Sequence, residues 1–521
     1  MKEGFRQAMA WLHTWAGLVF GWILFAIFLT GTLSYFKDEI NRWSHPEAPA
    51  QVVDARTALN SAQAYLQANA ADASRWYISL PDARNAALSV MWQQEGKRGF
   101  VDKLVDPREG TELHTRDSRG GEFFYRFHYE LQMGYPWGRW LATLSAFVML
   151  VTLVSGIITH KKIFKDFFTF RPGKGQRSWL DGHNAIGVLL LPFFAMISYS
   201  SLVIFMTMVM PASILTTYDN DLNAFYKDVF PSAFNDVKAA GTVAPLQPLS
   251  VFYDKALEQW PGGHVGVVDV QHPGDANARV SVSQLAGDRI VHSAGNGLLF
   301  DGVSGALLKG RVADSLPVAV AGSFYGLHMG NFAGPVLRWV YFFCGIGGTL
   351  MIGTGLVMWL GKRQLKHAKT GAQPLGLRVV AVLNIASMAG LLLAVVAFFW
   401  ANRLLPTALP DRAALEVKVF FLVWLLSAGH AVLRPGRRAW VEQLSVAAVL
   451  YAGLPVLNAL TTGQGLQHSI PAGDWAMAGV DLTALGSGLF LLWSVRKLQR
   501  VNVAPVKKPR RTAVIVEGEV S

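Results

Sequence analysis

The sequence predicts an all-α polytopic membrane protein of about eight transmembrane helices that carries two small α+β modules, with internal duplication of a helix–module–helix unit. Three observations predict it: an apolar composition, basic residues gathered in alternate loops, and short motifs that recur in two parts of the chain. Of the 521 residues, 52% are hydrophobic and 16% charged, far from the balance of a soluble domain.

A helix crossing a hydrocarbon core of ~30 Å needs about 20 largely apolar residues. Such stretches run over 11–36, 140–159, 185–209, 336–360, 379–401, 417–433, 441–460 and 476–495. The first follows Lys2 and Arg6 but is too long for a signal-peptide core. The nearest small-residue tract, at 48–50, lies beyond Lys37, Asp38, Glu39 and Arg42, so the stretch reads as an uncleaved anchor.

The formal charge of +12 is distributed by topology and does not point to nucleic acid. Lys161, Lys162, Lys165, Arg171, Lys174 and Arg177 crowd one loop; Lys362, Arg363, Lys366, Lys369 and Arg378 the next such loop; Arg434, Arg437 and Arg438 a third. The tail adds Arg496, Lys497, Arg500, Lys507, Lys508, Arg510 and Arg511. By the positive-inside rule these loops and both termini are expected in the cytoplasm of a bacterial-type inner membrane.

The expected organisation is helix one at 1–36, a periplasmic module at 37–137, helix two at 138–161, a basic cytoplasmic loop at 162–182 and helix three at 183–210. A second periplasmic module at 211–333, helix four at 334–361, four additional helices at 377–496 and a basic cytoplasmic tail at 497–521 complete the chain. In the first module, 55–69 reads as an amphipathic helix, followed by strand-like runs at 75–80, 87–93 and 100–106. In the second, the helix is 249–260 and the runs are 264–271, 279–284, 289–292 and 298–300. The single cysteine, Cys344, falls in a predicted helix. That leaves no internal disulfide, no cysteine-based zinc or iron–sulfur site and no covalent c-type haem.

The duplication shows in matched motifs. Leu12-His13-Thr14-Trp15-Ala16-Gly17-Leu18 lies against Gly182-His183-Asn184-Ala185-Ile186-Gly187-Val188, sharing a histidine, a later glycine and an aliphatic residue. Asp106 to Gly110 lies against Asp301 to Gly305, and Phe124-Tyr125-Arg126-Phe127-His128 against Phe324-Tyr325-Gly326-Leu327-His328. Arg139-Trp140 matches Arg338-Trp339, and Gly156 and Gly355 follow those arginines at equal spacing. The last four helices fall outside the repeat. Their ionisable residues, Glu416, His430 and Asp481, read as helix-end groups reaching towards the interface.

Of 13 histidines, His13, His160 and His183 fall at the cytoplasmic ends of the first four helices, and His128 and His328 at the periplasmic ends. A lone histidine at such a place is ordinarily an interfacial residue. Four at matched positions of a duplicated unit point to chemistry, because a b-type haem takes one imidazole on each face of the porphyrin. The repeat pairs His13 with His183 and His128 with His328, giving two non-covalent b-type haems with those four residues as haem-iron ligands. His160 aligns with Trp359 and is the weaker candidate, able to replace a cytoplasmic ligand or to bond a haem propionate beside Lys161 and Lys162. His45, His114, His264, His272, His292, His367 and His468 fall in loops or modules, where surface roles are the default.

The start at Leu12-His13, the segment from Thr159-His160 to Arg171-Pro172, the run Trp179-Leu180-Asp181-Gly182-His183-Asn184 and Leu327-His328-Met329-Gly330 resemble the PepSY-associated transmembrane-helix family, over roughly residues 5–365. The resemblance implies four core helices, PepSY-type periplasmic modules and kinship with iron-regulated inner-membrane proteins, some of which are dihaem reductases of ferric siderophores. It also implies His13, His183, His128 and His328 as haem ligands. Two places depart from the family pattern: Pro192-Phe193-Phe194, where relatives often carry a histidine after Pro-Phe, and Ser200-Ser201, where they tend to have Ser-Gly.

The expectation is therefore a haem-dependent ferric-chelate reductase, passing electrons from an unidentified cytoplasmic or quinol donor to a ferric siderophore or other periplasmic acceptor. Two other classes fit the composition. One is a non-enzymatic PepSY protein that regulates periplasmic peptidases. The other is a siderophore or iron transporter, against which stands the lack of a broken-helix pair or clustered polar site in the second half.

Overall fold

The computed structural model describes residues 3–94, 96–97, 99–160, 171–229, 237–292, 297–310, 315–367 and 374–500. Lys161, Lys162, Lys165 and Lys369 of the basic loops, and the tail from 501 onward, lie outside the described residues.

The first copy of the repeat begins with α1 (Glu3–Ser34) and the short α2 (Lys37–Ser44), then α3 (Ala55–Asn69), whose first turn is capped by Asp54 accepting from the Thr57 amide at 2.8 Å. Strands β1 (Ala73–Ser79), β2 (Leu88–Gln94) and β3 (Val101–Val105) follow, then α4 (Gly120–Glu130) and α5 (Trp137–Thr159). The second copy repeats the order with α6 (Gln176–Leu189), α7 (Leu191–Ile204), α8 (Leu249–Gln259), β4 (Val265–Gln271), β5 (Arg279–Gln284), β6 (Gly297–Asp301), β7 (Leu307–Lys309), α9 (Leu316–Met329) and α10 (Pro335–His367). Helices α11 (Leu375–Leu404), α12 (Arg412–Leu433), α13 (Arg437–Thr462) and α14 (Trp475–Arg500) complete the chain. The chain is thus a multi-pass membrane protein with a small antiparallel sheet, as its sequence predicts.

Among the described residues, α1, α5, α10, α11, α12, α13 and α14 are long and apolar enough to cross a membrane. The remaining expected span, 183–210, falls on the pair α6–α7, which is apolar and long enough when its two helices are taken together but is bent by 67° at Leu190. Pro192, in the first turn of α7, explains the break, since proline offers no amide hydrogen and its ring crowds the carbonyl four residues earlier. Near its middle, α11 contains a π-helical turn, Ala386–Gly390. Gly390 there packs against the Ser427 side chain, and Trp424 donates to the Ala386 carbonyl at 2.8 Å.

The two modules are not separate. Their strands form one sheet in the order β3-β2-β1-β4-β5-β6-β7, antiparallel throughout, with β1 and β4 as the seam between copies. Across the seam Arg75 forks onto Asp269 with bonds of 2.7 and 2.6 Å. Helices α3 and α8 cover one face, and Leu59, Leu66, Trp76, Ile78, Phe252, Val268, Val282 and Phe300 form a single core beneath them. Fusion removes the inner edge that each module would otherwise expose. The run at 289–292, expected as a strand, instead passes against α9. A Cβ on Gly326 would stand 1.6 Å from the Ile290 carbonyl oxygen, so only glycine allows that approach.

Helices α4 and α9 are not part of the sheet layer; they tuck into the sheet-side end of the helix bundle. Phe123 and Phe124 of α4 stack on Phe398 and Phe399 of α11 at 4.8 and 5.6 Å. The last four helices are clamped to the first copy by a buried polar cluster that the sequence reading did not foresee. Arg412 and Glu416 form an ion pair with both side chains fully buried, and Asn402 and Ser118 donate to the same carboxylate at 2.8 and 2.7 Å. Asp481 accepts from Trp43 and Asn458 at 2.8 and 2.9 Å, and the Arg403 guanidinium lies 3.5 Å from the Trp43 ring centroid. Glu416 and Asp481 are therefore interior groups, not snorkelling ones. The second half does hold a clustered polar site, and its members bind one another and the α2 region.

Candidate haem-ligating histidine pairs

His13 on α1 faces His183 on α6 with ring centroids 6.3 Å apart, and His128 on α4 faces His328 on α9 at 6.1 Å. The interplanar angles are 78° and 39°. With a metal–nitrogen bond of about 2 Å and an imidazole radius of about 1 Å, two rings facing across one iron place their centroids about 6 Å apart.

The hydrogen bonds fix which nitrogen faces inward. His13 Nδ1 donates to the Thr152 carbonyl at 2.8 Å, His183 Nδ1 to the Met351 carbonyl at 2.9 Å and His128 Nδ1 to the Ile27 carbonyl at 2.8 Å. A carbonyl can only accept, so each of these Nδ1 atoms carries the proton and each Nε2 keeps its lone pair. His328 Nδ1 is 2.8 Å from Ser200 Oγ, whose own hydrogen is directed to the Ile197 carbonyl at 3.1 Å, giving the same tautomer. Among the described residues none of the four Nε2 atoms has a hydrogen-bond partner. This is the arrangement in which a backbone or hydroxyl partner orients a histidine and raises its basicity towards a metal.

The supports obey the repeat. Ile27 and Ile197 hold matching positions after His13 and His183, and each carbonyl serves the outer histidine of its own copy, directly or through Ser200. The matched glycines make room for the inner pair: a Cβ on Gly156 would stand 3.1 Å from His13 Cε1, and one on Gly355 3.3 Å from His183 Cε1. At the outer pair Gly31 lies against His128, where a Cβ would come within 2.5 Å of Nδ1. His13 and Ile27 are about four turns apart on α1, so the two pairs are separated by about 21 Å along the bundle.

His128 and His328 open into a cavity of about 600 Å³, within the range of small-molecule and cofactor sites. Leu24, Phe28, Met149 and Phe193 line its deeper part, and Lys37, Asp38, Asp82, Arg84 and Arg139 its mouth below the sheet. Among the described residues no three His, Cys, Asp or Glu side chains converge on one point. Histidine donors come in facing pairs, which suits a ring that brings its own equatorial nitrogens. On chemistry and spacing the residues fit axial ligation of haem iron.

His160 ends α5, and its Nε2 accepts from the Asn184 amide at 2.9 Å; the described ring contact of the inner pair is between His13 and His183. Trp359, its counterpart in the repeat, packs edge-on against Trp15 at 5.9 Å with Arg363 3.7 Å above its ring. His430 bonds Glu442 at 2.9 Å, His264 bonds Asp288 at 3.0 Å and His272 Nε2 donates to the Val237 carbonyl at 2.8 Å. Sequence reasoning found the four paired histidines but missed Ile27, Thr152, Ser200 and Met351 beneath them. Their signal was the matching register of Ile27 and Ile197.

The family described as the PepSY-associated TM region matches residues 10–362. The chain belongs to this family. The match spans both copies of the helix–module–helix unit and all four paired histidines, and it ends before α11. The chain is also similar to an uncharacterized protein of Pseudomonas aeruginosa, with 25% identity over 398 residues, covering 71% of this chain and 91% of that protein. Beyond the matched residues, the polar clamp at Arg412 and Asp481 attaches four further helices to the PepSY-associated core.

Proposed function

We propose that this PepSY-associated protein carries electrons across a bacterial inner membrane through two b-type haems and reduces a ferric chelate of the siderophore class on the side of the sheet. The observation that carries this reading is the pair of facing histidine couples, each with its Nδ1 protons tied to backbone or hydroxyl oxygen and its Nε2 lone pairs unspent. This reading puts the sheet side in the periplasm and both termini in the cytoplasm, which the positive-inside rule supports through the basic loops.

When bound, each haem supplies a one-electron carrier of ferric and ferrous iron. His13 and His183 would hold the cytoplasmic-side group, and His128 and His328 the sheet-side one. The residues contribute by position. The carbonyl bonds of His13, His128 and His183 and the Ser200 contact of His328 hold the four imidazoles in fixed orientations. Leu24, Phe28, Met149 and Phe193 exclude water from the sheet-side cavity. Its ionic mouth is the place where a polar chelate approaches. Siderophores hold Fe(III) with hard oxygen donors and release Fe(II) far more readily, so one electron is enough to free the metal.

The test is reoxidation. Dithionite-reduced protein in nanodiscs, freed of excess reductant, is mixed with ferric siderophore in the presence of a coloured Fe(II) chelator. Haem oxidation matched by an equal amount of trapped Fe(II) supports the reading. Haem that stays reduced in the presence of several chemically distinct ferric chelates contradicts it.

A further inference from the structure

The cavity at His128 and His328 has unlike ends, and its cations differ in how far they are already committed. Arg84 Nη2 reaches the Tyr35 carbonyl at 3.0 Å and the carboxylates of Asp38 and Glu39 at 3.1 Å, fastening the loop after β1 to the bundle. Arg139 gives Nε and Nη2 to Glu130 at 2.9 and 2.7 Å, with the rings of Tyr129 and Tyr135 each 5.3 Å from its guanidinium carbon. Among the described residues Lys37 has one hydrogen-bond partner, Glu122, at 2.6 Å, and lies 5.2 Å from the Tyr125 ring centroid. An ammonium has three donors, so Lys37 keeps two for whatever fills the cavity.

The repeat breaks its own symmetry here. Arg338, the match of Arg139, does not line the cavity; it binds Glu39 and the Ala333 carbonyl and lies over Phe36. In the register that matches Ile27 with Ile197, Lys37 corresponds to the uncharged Thr207. Among the described residues the cations at the mouth therefore come from the first copy alone, Arg84 being its third, whereas the imidazoles come one from each copy. A b-type porphyrin is asymmetric in the same sense, an apolar disc with both carboxylates on one edge.

We propose that Lys37, backed by Arg139, binds the porphyrin carboxylates at the sheet-side site and so sets which edge of the disc faces the modules. The inference rests on the haem reading above. Lys37 acts as a positioning residue: it fixes the group's orientation and raises its readiness to accept an electron by placing a positive charge beside it.

The experiment is a spectroscopic redox titration of the full chain, with the rate of haem transfer to excess apomyoglobin as a second readout, for wild type, Lys37→Met, Lys37→Arg and Arg139→Gln. Methionine keeps an unbranched stem and removes the charge. Lys37→Met is expected to retain two haems per chain, to lower the midpoint potential of one component only, and to release that haem several-fold faster. Lys37→Arg should behave as wild type, and Arg139→Gln should shift the same component in the same direction. Identical titrations and transfer rates for wild type and Lys37→Met overturn the assignment, as does an equal shift for Lys37→Met and Lys37→Arg, which would mark a steric effect. Wild-type protein without haem overturns the haem reading itself, so the two failures are distinguishable.

Discussion

Replacing Gly31 by alanine tests the sheet-side pair through its support and leaves both ligands in place. The added Cβ would stand 2.5 Å from His128 Nδ1 and 2.6 Å from Cε1. Carbon contacts settle at about 3.5 Å, so the ring must retreat by about 1 Å or tilt. The bond from Nδ1 to the Ile27 carbonyl is 2.8 Å long, and a shift of that size breaks it. A metal ligand displaced by that amount no longer closes the coordination sphere, and losing the hydrogen bond that orients a ligating histidine costs roughly 10–100-fold in affinity. Gly31→Ala should therefore reduce bound haem from two per chain towards one, or leave the second high-spin. Ser201, at the matching place in the other copy, is already a larger residue, so Ser201→Gly should keep both haems. The assay is haem quantification by pyridine haemochrome with the oxidised and reduced visible spectra. Two low-spin haems in Gly31→Ala, with wild-type spectra, would refute the reasoning.

Four further expectations follow from the same structure. His128→Ala and His328→Ala should each remove about half of the haem, whereas His160→Ala should leave both; loss of haem in the last variant would reassign the inner pair. Glu416→Ala leaves the Arg412 guanidinium buried without its carboxylate, a change that costs about 3–5 kcal/mol and should lower the thermal unfolding temperature in detergent. Ile78→Ala removes a fully buried side chain from the shared core of the sheet and should cost about 2–5 kcal/mol, with hydrogen exchange increasing in β4 as well as in β1; an effect confined to β1 would contradict the fused sheet. Burial alone would raise the Glu47 carboxyl, but the side-chain bonds from Arg116, the backbone amides of Glu47 and Arg116 and the guanidinium charge together outweigh it and hold it below the ordinary carboxylate value. A depressed folded value means that this contribution is present above the unfolded value of about 4.3 and is lost as pH falls through the lower, folded one. Thermal stability should accordingly fall on acidification in that window, and less steeply in Glu47→Gln.

The membrane architecture was legible because hydropathy and loop charge are local signals. The histidine pairs were legible because duplication makes distant residues comparable: His128 and His328 are 200 positions apart in the sequence, yet each follows the same Phe-Tyr motif. What escaped were contacts between elements. The β1–β4 seam joins strands from different modules, and Arg75 carries no mark that its partner is Asp269. The bend at Leu190 was signalled by Pro192, but the apolar run continues through it and hides the break. Glu416 and Asp481 looked like helix-end groups because Asn402, Arg403 and Trp43, which enclose them, belong to other elements. The Nδ1 acceptors beneath the histidines are mostly backbone carbonyls, which no side-chain motif can announce.

The central claim is that the four paired imidazoles hold two haems, and the visible spectrum of the purified full chain tests it most directly. The expected result is a Soret band that shifts on dithionite addition, sharpened α and β bands of a low-spin b-type haem, and two haems per polypeptide by pyridine haemochrome. A preparation expressed with ample haem that shows no reducible haem band would contradict it.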